Sequence, residues 1–163
     1  EVKIKIFTDS RECLPLEHGE IYIQGPHVSP GYLSNTSNKK NLHTDWLHTG
    51  DIGYFDNDGY LFLVGRKDDM INIGGEKVFP KEIEDIIGSM KEIEEVAVKG
   101  ISDKLLGQIV QVYVVTKQEM SIKDQDIVTF CKGKLENYKI PRIFTYLSKL
   151  PKNEQGKLLR SKL

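Results

Sequence analysis

Gly65-Arg66-Lys67-Asp68-Asp69-Met70-Ile71-Asn72-Ile73-Gly74-Gly75-Glu76-Lys77-Val78-Phe79-Pro80 separates two kinds of sequence. Before it, apolar residues recur at every second position. Val2 to Phe7 alternates, and Glu20 to Gln24 does so until Gly25-Pro26 breaks the pattern. Ser34 to Lys40 is polar and reads as a surface loop. Ile52 to Phe55 and Tyr60 to Val64 flank Asp56-Asn57-Asp58-Gly59, where Asp-Gly supplies the positive φ of a tight hairpin turn. After the divide the period becomes helical. Pro80 suits a first helical position, and Ile83, Ile86, Ile87 and Met90 form one apolar stripe. Val96 to Ile101 and Ile109 to Thr116 read as strands. Ser121 with Asp124 resembles a capping box ahead of a second helix carrying Ile127, Phe130, Cys131, Leu135 and Tyr138. Pro141 ends that helix, and Ile143 to Leu147 reads as a strand. The expected class is α+β. Residues 1–67 form a β-rich segment, a sheet or part of a distorted barrel. Residues 68–163 form a small domain with a short sheet flanked by helices.

Composition removes several classes of function. The 163 residues are 39% hydrophobic and 29% charged, with 14 Gly and 6 Pro, which is ordinary for a globular chain. No apolar run approaches the roughly 20 residues that span a bilayer, so no membrane span is expected. Cys13 and Cys131 form no CxxC spacing, and no Cys or carboxylate stands at metal-ligand spacing from His18, His27, His43 or His48 in the sequence. Neither a disulfide framework nor a metal site in this stretch is expected. A net charge of −1 predicts no nucleic-acid partner. Charge is unevenly spread, however, because Lys132 to Leu163 carries nine Lys/Arg against Glu136 and Glu154. Such a stretch is commonly a solvated face, and otherwise a surface that meets phosphates.

Four short motifs carry candidate chemistry, each with an ordinary alternative. Thr49-Gly50-Asp51 is a turn by itself, but an acid at a strand entrance can accept from both hydroxyls of a ribose. Gly65-Arg66-Lys67-Asp68-Asp69 is a charged loop, or a cationic arm followed by a flexible boundary. Gly74-Gly75 allows a sharp turn or a close backbone approach to a ligand. Pro151-Lys152-Asn153-Glu154-Gln155-Gly156-Lys157-Leu158-Leu159-Arg160 is a basic loop leading into a terminal helix, or a device that aims Lys157 from a tight glycine turn at developing negative charge.

Taken in order, Thr-Gly-Asp, a hairpin, Gly-Arg-x-Asp-Asp, Gly-Gly-Glu-Lys-Val-x-Pro-x-Glu-Ile-Glu and Gly-Lys-x-x-Arg resemble the C-terminal part of the adenylate-forming superfamily. That superfamily includes acyl-CoA synthetases, peptide-synthetase adenylation domains and firefly luciferase. The resemblance covers essentially the whole chain. It implies that residues 1–67 end a large adenylation domain and that 68–163 form a small mobile domain. It further implies that Asp51 binds the ribose and that Arg66 contacts the nucleotide. Asp68 is the implied hinge. Gly75 borders the tunnel of the thiol arm with Lys77 nearby, where many relatives carry Arg or Gln. Lys157 bridges carboxylate and phosphate oxygens during adenylation. Asn72 departs from the lysine of luciferase-like members, which argues against an oxidative luciferase.

The implied activity is that of an ATP-dependent acid–CoA ligase, with fatty acid metabolism among the expected settings. A carboxylic acid, ATP and CoA are its substrates. A carrier-protein phosphopantetheine arm is the alternative acceptor, and a nucleotide-binding module without catalysis is the alternative class. The latter has no physical need for a lysine at 157. Magnesium is implied, with its ligand upstream. The final Ser161-Lys162-Leu163 matches a peroxisomal address, but a simple continuation of the Gly-Lys-x-x-Arg segment and a cytoplasmic location are preferred. The start at Glu1, with neither Met nor a signal core, reads as a cut edge. The phosphate-cradling loop, the magnesium-binding acid and the acyl pocket all lie upstream in relatives. The 163 residues alone are therefore expected to be inactive and, by titration calorimetry, to show no micromolar affinity for ATP.

Overall fold

Alternating β-branched residues pair into two separate sheets. The computed structural model describes residues 1–8, 11–28 and 46–163. The loop expected over 34–40 and His43 lie outside them. The chain divides into two units, Glu1–Asp68 and Asp69–Leu163.

The first unit contains β1 (Lys3–Phe7), β2 (Gly19–Gln24), β3 (Leu47–Phe55) and β4 (Leu61–Arg66), paired antiparallel in that order. Among its described residues, Ile6, Ile21 and Ile52 are the buried apolar side chains. The β3–β4 turn follows its sequence signal. Gly59 takes φ +85°, and Asp56 Oδ1 accepts from the N–H groups of Asp58 (3.0 Å) and Tyr60 (2.8 Å). Between Ile52 and Gly53 the β3–β4 register shifts by one residue, a bulge at Val64. Gly53 is required where it stands, because a Cβ would lie 2.5 Å from the carbonyl oxygen of Phe62 and 2.8 Å from Ile21 Cδ1. Ahead of β2, Arg11 grips Glu17 through Nη1 (2.7 Å) and Nη2 (2.8 Å), and Glu17 also accepts from the N–H of Leu14 (2.9 Å).

The second unit is built on β5 (Ile71–Ile73), β6 (Glu76–Val78), β7 (Ile93–Asp103), β8 (Gly107–Thr116) and β9 (Ile143–Tyr146). The sheet order is β6-β5-β8-β7, with β9 running parallel to β8. Alternation along β8 serves two faces. Val110, Val112 and Val114 join Val98 beneath α1 (Pro80–Gly88) and α2 (Asp124–Cys131), while Tyr113 and Val115 join Ala97 beneath Leu150 and the tail residues Leu158 and Leu163. With both faces covered, a near-continuous apolar run makes sense as a strand. Ile83 and Ile87 of α1 are wholly buried, each contributing about 1.5–3 kcal/mol of burial.

Three expectations about this unit need correction. Gly74-Gly75 joins two short strands that period reading missed, because three residues cannot establish a period. The second helix ends at Cys131 and does not run to Pro141: Lys132 is extended, Gly133 takes φ +82°, and Asn137–Lys139 forms a separate 3-10 turn. Leu135 and Tyr138 still pack on the core, so the chain keeps their burial without continuing the helix. The helix cap is Lys123 rather than Ser121, with the Asp126 carboxylate accepting from the Lys123 N–H at 3.2 Å.

Two outcomes are expected. Gly53→Ala forces either the β4 backbone or Ile21 to move and destabilises the protein by about 1–3 kcal/mol, read from urea unfolding. The Glu17 carboxyl is held down to about 2, first by the Arg11 hydrogen bond and then by the Leu14 N–H. Because the folded value is depressed, this strap stabilises fully above the ordinary value of 4.5, and the contribution is lost as pH falls toward 2. Thermal melting against pH should show a shallower acid limb in Glu17→Gln.

Candidate functional site

In the first unit Thr49-Gly50-Asp51 lies inside β3, not in a turn ahead of it. The strand is irregular there because Gly50 takes φ +71°. The Thr49 hydroxyl repairs the ladder, donating to the Ile21 carbonyl (2.8 Å) and accepting from the Asp51 N–H (3.0 Å). Arg66 is also within a strand, and the Val64 bulge places it directly opposite Asp51. An unbulged ladder would set Asp51 against Gly65 and turn Arg66 to the other face. Arg66 Nη1 donates to Asp51 Oδ1 (2.9 Å) and to the Thr49 carbonyl (3.0 Å). A Cβ on Gly50 would lie 3.2 Å from Arg66 Nη2, so the guanidinium rests over the glycine. The Asp51 side chain is 35% and that of Arg66 51% exposed. An exposed pair of this kind contributes only about 0–1 kcal/mol, so its consequence is orientation rather than stability. Alongside, Glu20 accepts from Lys67 Nζ at 2.8 Å.

Asp68 is exposed in the turn at residues 67–69, where the first unit ends. In the second unit Gly74 and Gly75 take φ +61° and +97°, the two positive values of a type I′ hairpin turn between Ile73 and Glu76. Asn72 Oδ1 accepts from the Gly75 N–H (3.0 Å), and the Gly74 N–H donates to the Leu106 carbonyl (2.8 Å). No atom outside its chain neighbours lies within 4 Å of a Cβ built on Gly75, so its backbone is open to an approaching molecule. Lys77 pairs in register with Asn72, and both are exposed.

Lys157 sits on a different hairpin, closed by the Lys152–Leu158 bridge. Asn153 shapes the tip. Its N–H donates to the Lys157 carbonyl (2.9 Å), and its Oδ1 accepts from the N–H groups of Gln155 (3.1 Å) and Lys157 (2.8 Å). Gly156 takes φ +78°, and the Lys157 side chain is exposed. The segment continues into a 3-10 turn, Arg160–Lys162, rather than the terminal helix expected. Both legs of the hairpin are tied down. Lys152 Nζ meets Glu95 Oε1 at 2.6 Å. Arg160 donates from Nη1 to Glu84 Oε1 and to the Val98 carbonyl (both 2.7 Å), and from Nη2 to Glu84 Oε2 (3.0 Å). Its Nε lies 3.2 Å from Asp69 Oδ2. Burial opposes the Arg160 charge, but the Glu84 hydrogen bond and the charges of Glu84 and Asp69 outweigh it and raise the guanidinium above its ordinary value. Sequence reading singled out neither Glu84 nor Arg160 as a pair. Their separation of 76 positions gives no local signal.

The structure thus brings Asp51 and Arg66 together in the first unit. In the second it places Gly75 with Lys77 on one hairpin and Lys157 on another. Among the described residues no group of three or more His, Cys, Asp or Glu could hold a metal ion. Among them, too, no helix is long and apolar enough to cross a membrane.

Residues 82–157 match the AMP-binding enzyme C-terminal domain. The 2-succinylbenzoate–CoA ligase of Bacillus licheniformis is 42% identical over 161 residues, covering 98% of this chain and 33% of that protein. Among solved structures, the o-succinylbenzoate CoA synthetase of Bacillus subtilis with its acyl-adenylate intermediate OSB-AMP is 38% identical. It matches with a TM-score of 0.91 over 99% of this chain and 33% of that one. ATP-bound MatB from Rhodopseudomonas palustris is 28% identical, with a TM-score of 0.91 over 99% and 33%. The chain spans about a third of the length of the relatives it matches. With its fold, its ordered motifs and these likenesses in agreement, the chain belongs to the adenylate-forming superfamily of AMP-binding enzymes, as part of its C-terminal region.

Proposed function

We propose that the protein to which this chain belongs is an AMP-forming acid–CoA ligase. A carboxylate attacks the α-phosphorus of ATP and expels pyrophosphate. The thiol of CoA then attacks the acyl-adenylate and releases AMP. The observation that carries this reading is Lys157: an exposed ammonium on a backbone turn fixed by Asn153 and tied down on both legs. Adenylation brings two anions together and builds charge on phosphate oxygens, and a cation held in place beforehand offsets that charge without reorganising.

The remaining roles follow the family pattern. Asp51 accepts from the ribose hydroxyls, oriented by Arg66, which also meets the nucleotide. Asp68 is the hinge whose torsions change between the two half-reactions. Gly75 and Lys77 border the path of the thiol arm, where an open glycine backbone allows close approach. Magnesium bound with ATP would neutralise phosphate charge, its ligands lying outside this chain.

The acid is proposed to be 2-succinylbenzoate, the substrate for which curated relatives 42% and 40% identical to this chain are named. A fatty acid is not favoured, because none of those relatives is named for one. CoA is the proposed acceptor for the same reason, since those relatives are named as CoA ligases, and a carrier protein is not favoured. A cytoplasmic setting suits a reaction on ATP and CoA by a chain whose two cysteines are free thiols.

Pyrophosphate exchange by the full-length protein, across 2-succinylbenzoate, fatty acids, other aryl acids and amino acids, tests this directly. Exchange with 2-succinylbenzoate is expected, and a response to amino acids alone would overturn the assignment. Lys157→Ala should lower adenylation by about 10²–10³-fold, as loss of a preorganised donor does. Asp68→Pro should slow thioester formation while largely sparing adenylation, and equal loss of both would remove the hinge role.

A further inference from the structure

Lysine is flexible, and the tip that carries Lys157 is short. What fixes its place is therefore the chemistry of the legs. The Asn153 turn sets the shape of the tip but does not attach it to the domain. Leu150 and Leu158 provide apolar contact with the Ala97–Tyr113–Val115 face, and such contact permits sliding. The directional attachment nearest the lysine on its C-terminal side is Arg160, three residues on. Its planar fork meets both oxygens of Glu84 in the middle of α1, and Nη1 also meets the Val98 carbonyl of β7. Glu84 is fixed in turn, because Oε1 accepts from the Val98 N–H at 2.8 Å. The Glu84 side chain is 11% and that of Arg160 23% exposed, so water competes weakly for these bonds. The remaining edge of the guanidinium, Nε, faces Asp69, the first residue of this unit and the neighbour of Asp68.

We propose that Arg160 is a positioning residue: its fork on Glu84 holds the Lys157 turn at a fixed place on the domain, and its contact with Asp69 ties that place to the chain leaving Asp68. The ion pair is thus part of how the lysine works and not only of how the domain folds. Two carboxylates on one guanidinium leave the cluster net negative, so Arg160 spends its charge locally and leaves Lys157 as the cation offered outward. A lysine at 160 would keep the charge but could not reproduce two parallel bonds to Glu84 with a third to Val98. The functional part of this inference rests on the role given to Lys157 above, whereas the anchoring part does not.

The test uses the full-length protein with Arg160→Lys, Lys157→Ala and the double variant. Hydrogen exchange by mass spectrometry is read across 153–157 and across β8. Adenylation is measured by pyrophosphate exchange, and thioester formation from supplied acyl-adenylate. Arg160→Lys is expected to speed exchange across 153–157 by about tenfold or more, the scale of losing a charged hydrogen bond, while β8 is unchanged. Adenylation should fall more than thioester formation, and in the Lys157→Ala background Arg160→Lys should add nothing further. Unchanged exchange, equal loss of both half-reactions, or losses that multiply in the double variant would each overturn the proposal. Faster exchange together with full adenylation by Lys157→Ala would sustain the anchoring and instead remove the catalytic role of Lys157. Where Arg160→Lys does not fold, Glu84→Gln keeps the shape and removes the charge, and the same split between half-reactions is expected of it.

Discussion

An arginine side chain that is three-quarters withdrawn from water has to have its donors answered, and in this protein the answer assembles the second unit. Arg160 draws on α1 through Glu84, on β7 through the Val98 carbonyl and on the start of the unit through Asp69. Those elements lie far from Arg160 in sequence. None could satisfy the guanidinium alone, and removing any one would leave a charge or carbonyl partly buried without its partner. Breaking one side of such a pair is commonly more damaging than never having built it. The node therefore fixes where the tail runs over the Ala97–Tyr113–Val115 face, and the tail carries the Lys157 hairpin. Two further ion pairs, Lys139 with Glu82 and with Glu136, both at 2.8 Å, do similar work after α2, where the helix has stopped but Leu135 must still reach the core.

How much of this could be read beforehand followed the range of the interaction. Strands long enough to show alternation were legible, as were the Asp-Gly turn and the start of α1 at Pro80, because each depends on residues within a few positions of one another. Gly74-Gly75 was legible as a place of backbone freedom but not as a I′ turn, since its flanking strands are three residues each. The stop of α2 was misread for a physical reason. Leu135 and Tyr138 continue the apolar spacing because they are buried, yet Lys132 and Gly133 leave helical geometry before them. Burial and helicity usually share a period, and here only burial continued. The Arg160–Glu84 fork had no local signature at all.

The Asp51–Arg66 pair shows the same limit on a finer scale. Both residues are prominent in sequence, but their facing depends on one unpaired residue, Val64, in the β3–β4 ladder. A period of two means that a single-residue slip reverses every side chain beyond it, so the bulge converts two residues destined for opposite faces into neighbours. Gly50 and Gly53 make that arrangement possible from the other strand. The first lies under the guanidinium, and the second allows the ladder to close where the Phe62 carbonyl comes within 2.5 Å of any Cβ. The motif Thr-Gly-Asp is thus as much a backbone requirement as a chemical one. Its threonine repairs the ladder, its glycine yields space, and its aspartate answers the arginine across the strand pair.

The two candidate sites share a design that separates charge from flexibility. Holding a long side chain in one place costs on the order of 1.5–2 kcal/mol in rotamer freedom, and each backbone residue of a loose loop adds about 1–2 kcal/mol more. A lysine on a mobile loop would meet that cost each time a substrate bound, within the barrier of the reaction itself. Asn153, Gly156, Lys152 and Arg160 settle the backbone share of it during folding, so only the lysine side chain remains to be ordered. The same holds for Asp51, whose carboxylate is oriented by a neighbour on the adjacent strand rather than by the ligand it would receive. For Asp51 this preorganisation contributes little to folding stability, since its pair with Arg66 is exposed and exposed pairs are weak. Its benefit appears only when charge develops at a fixed point in space, which is the circumstance adenylation presents.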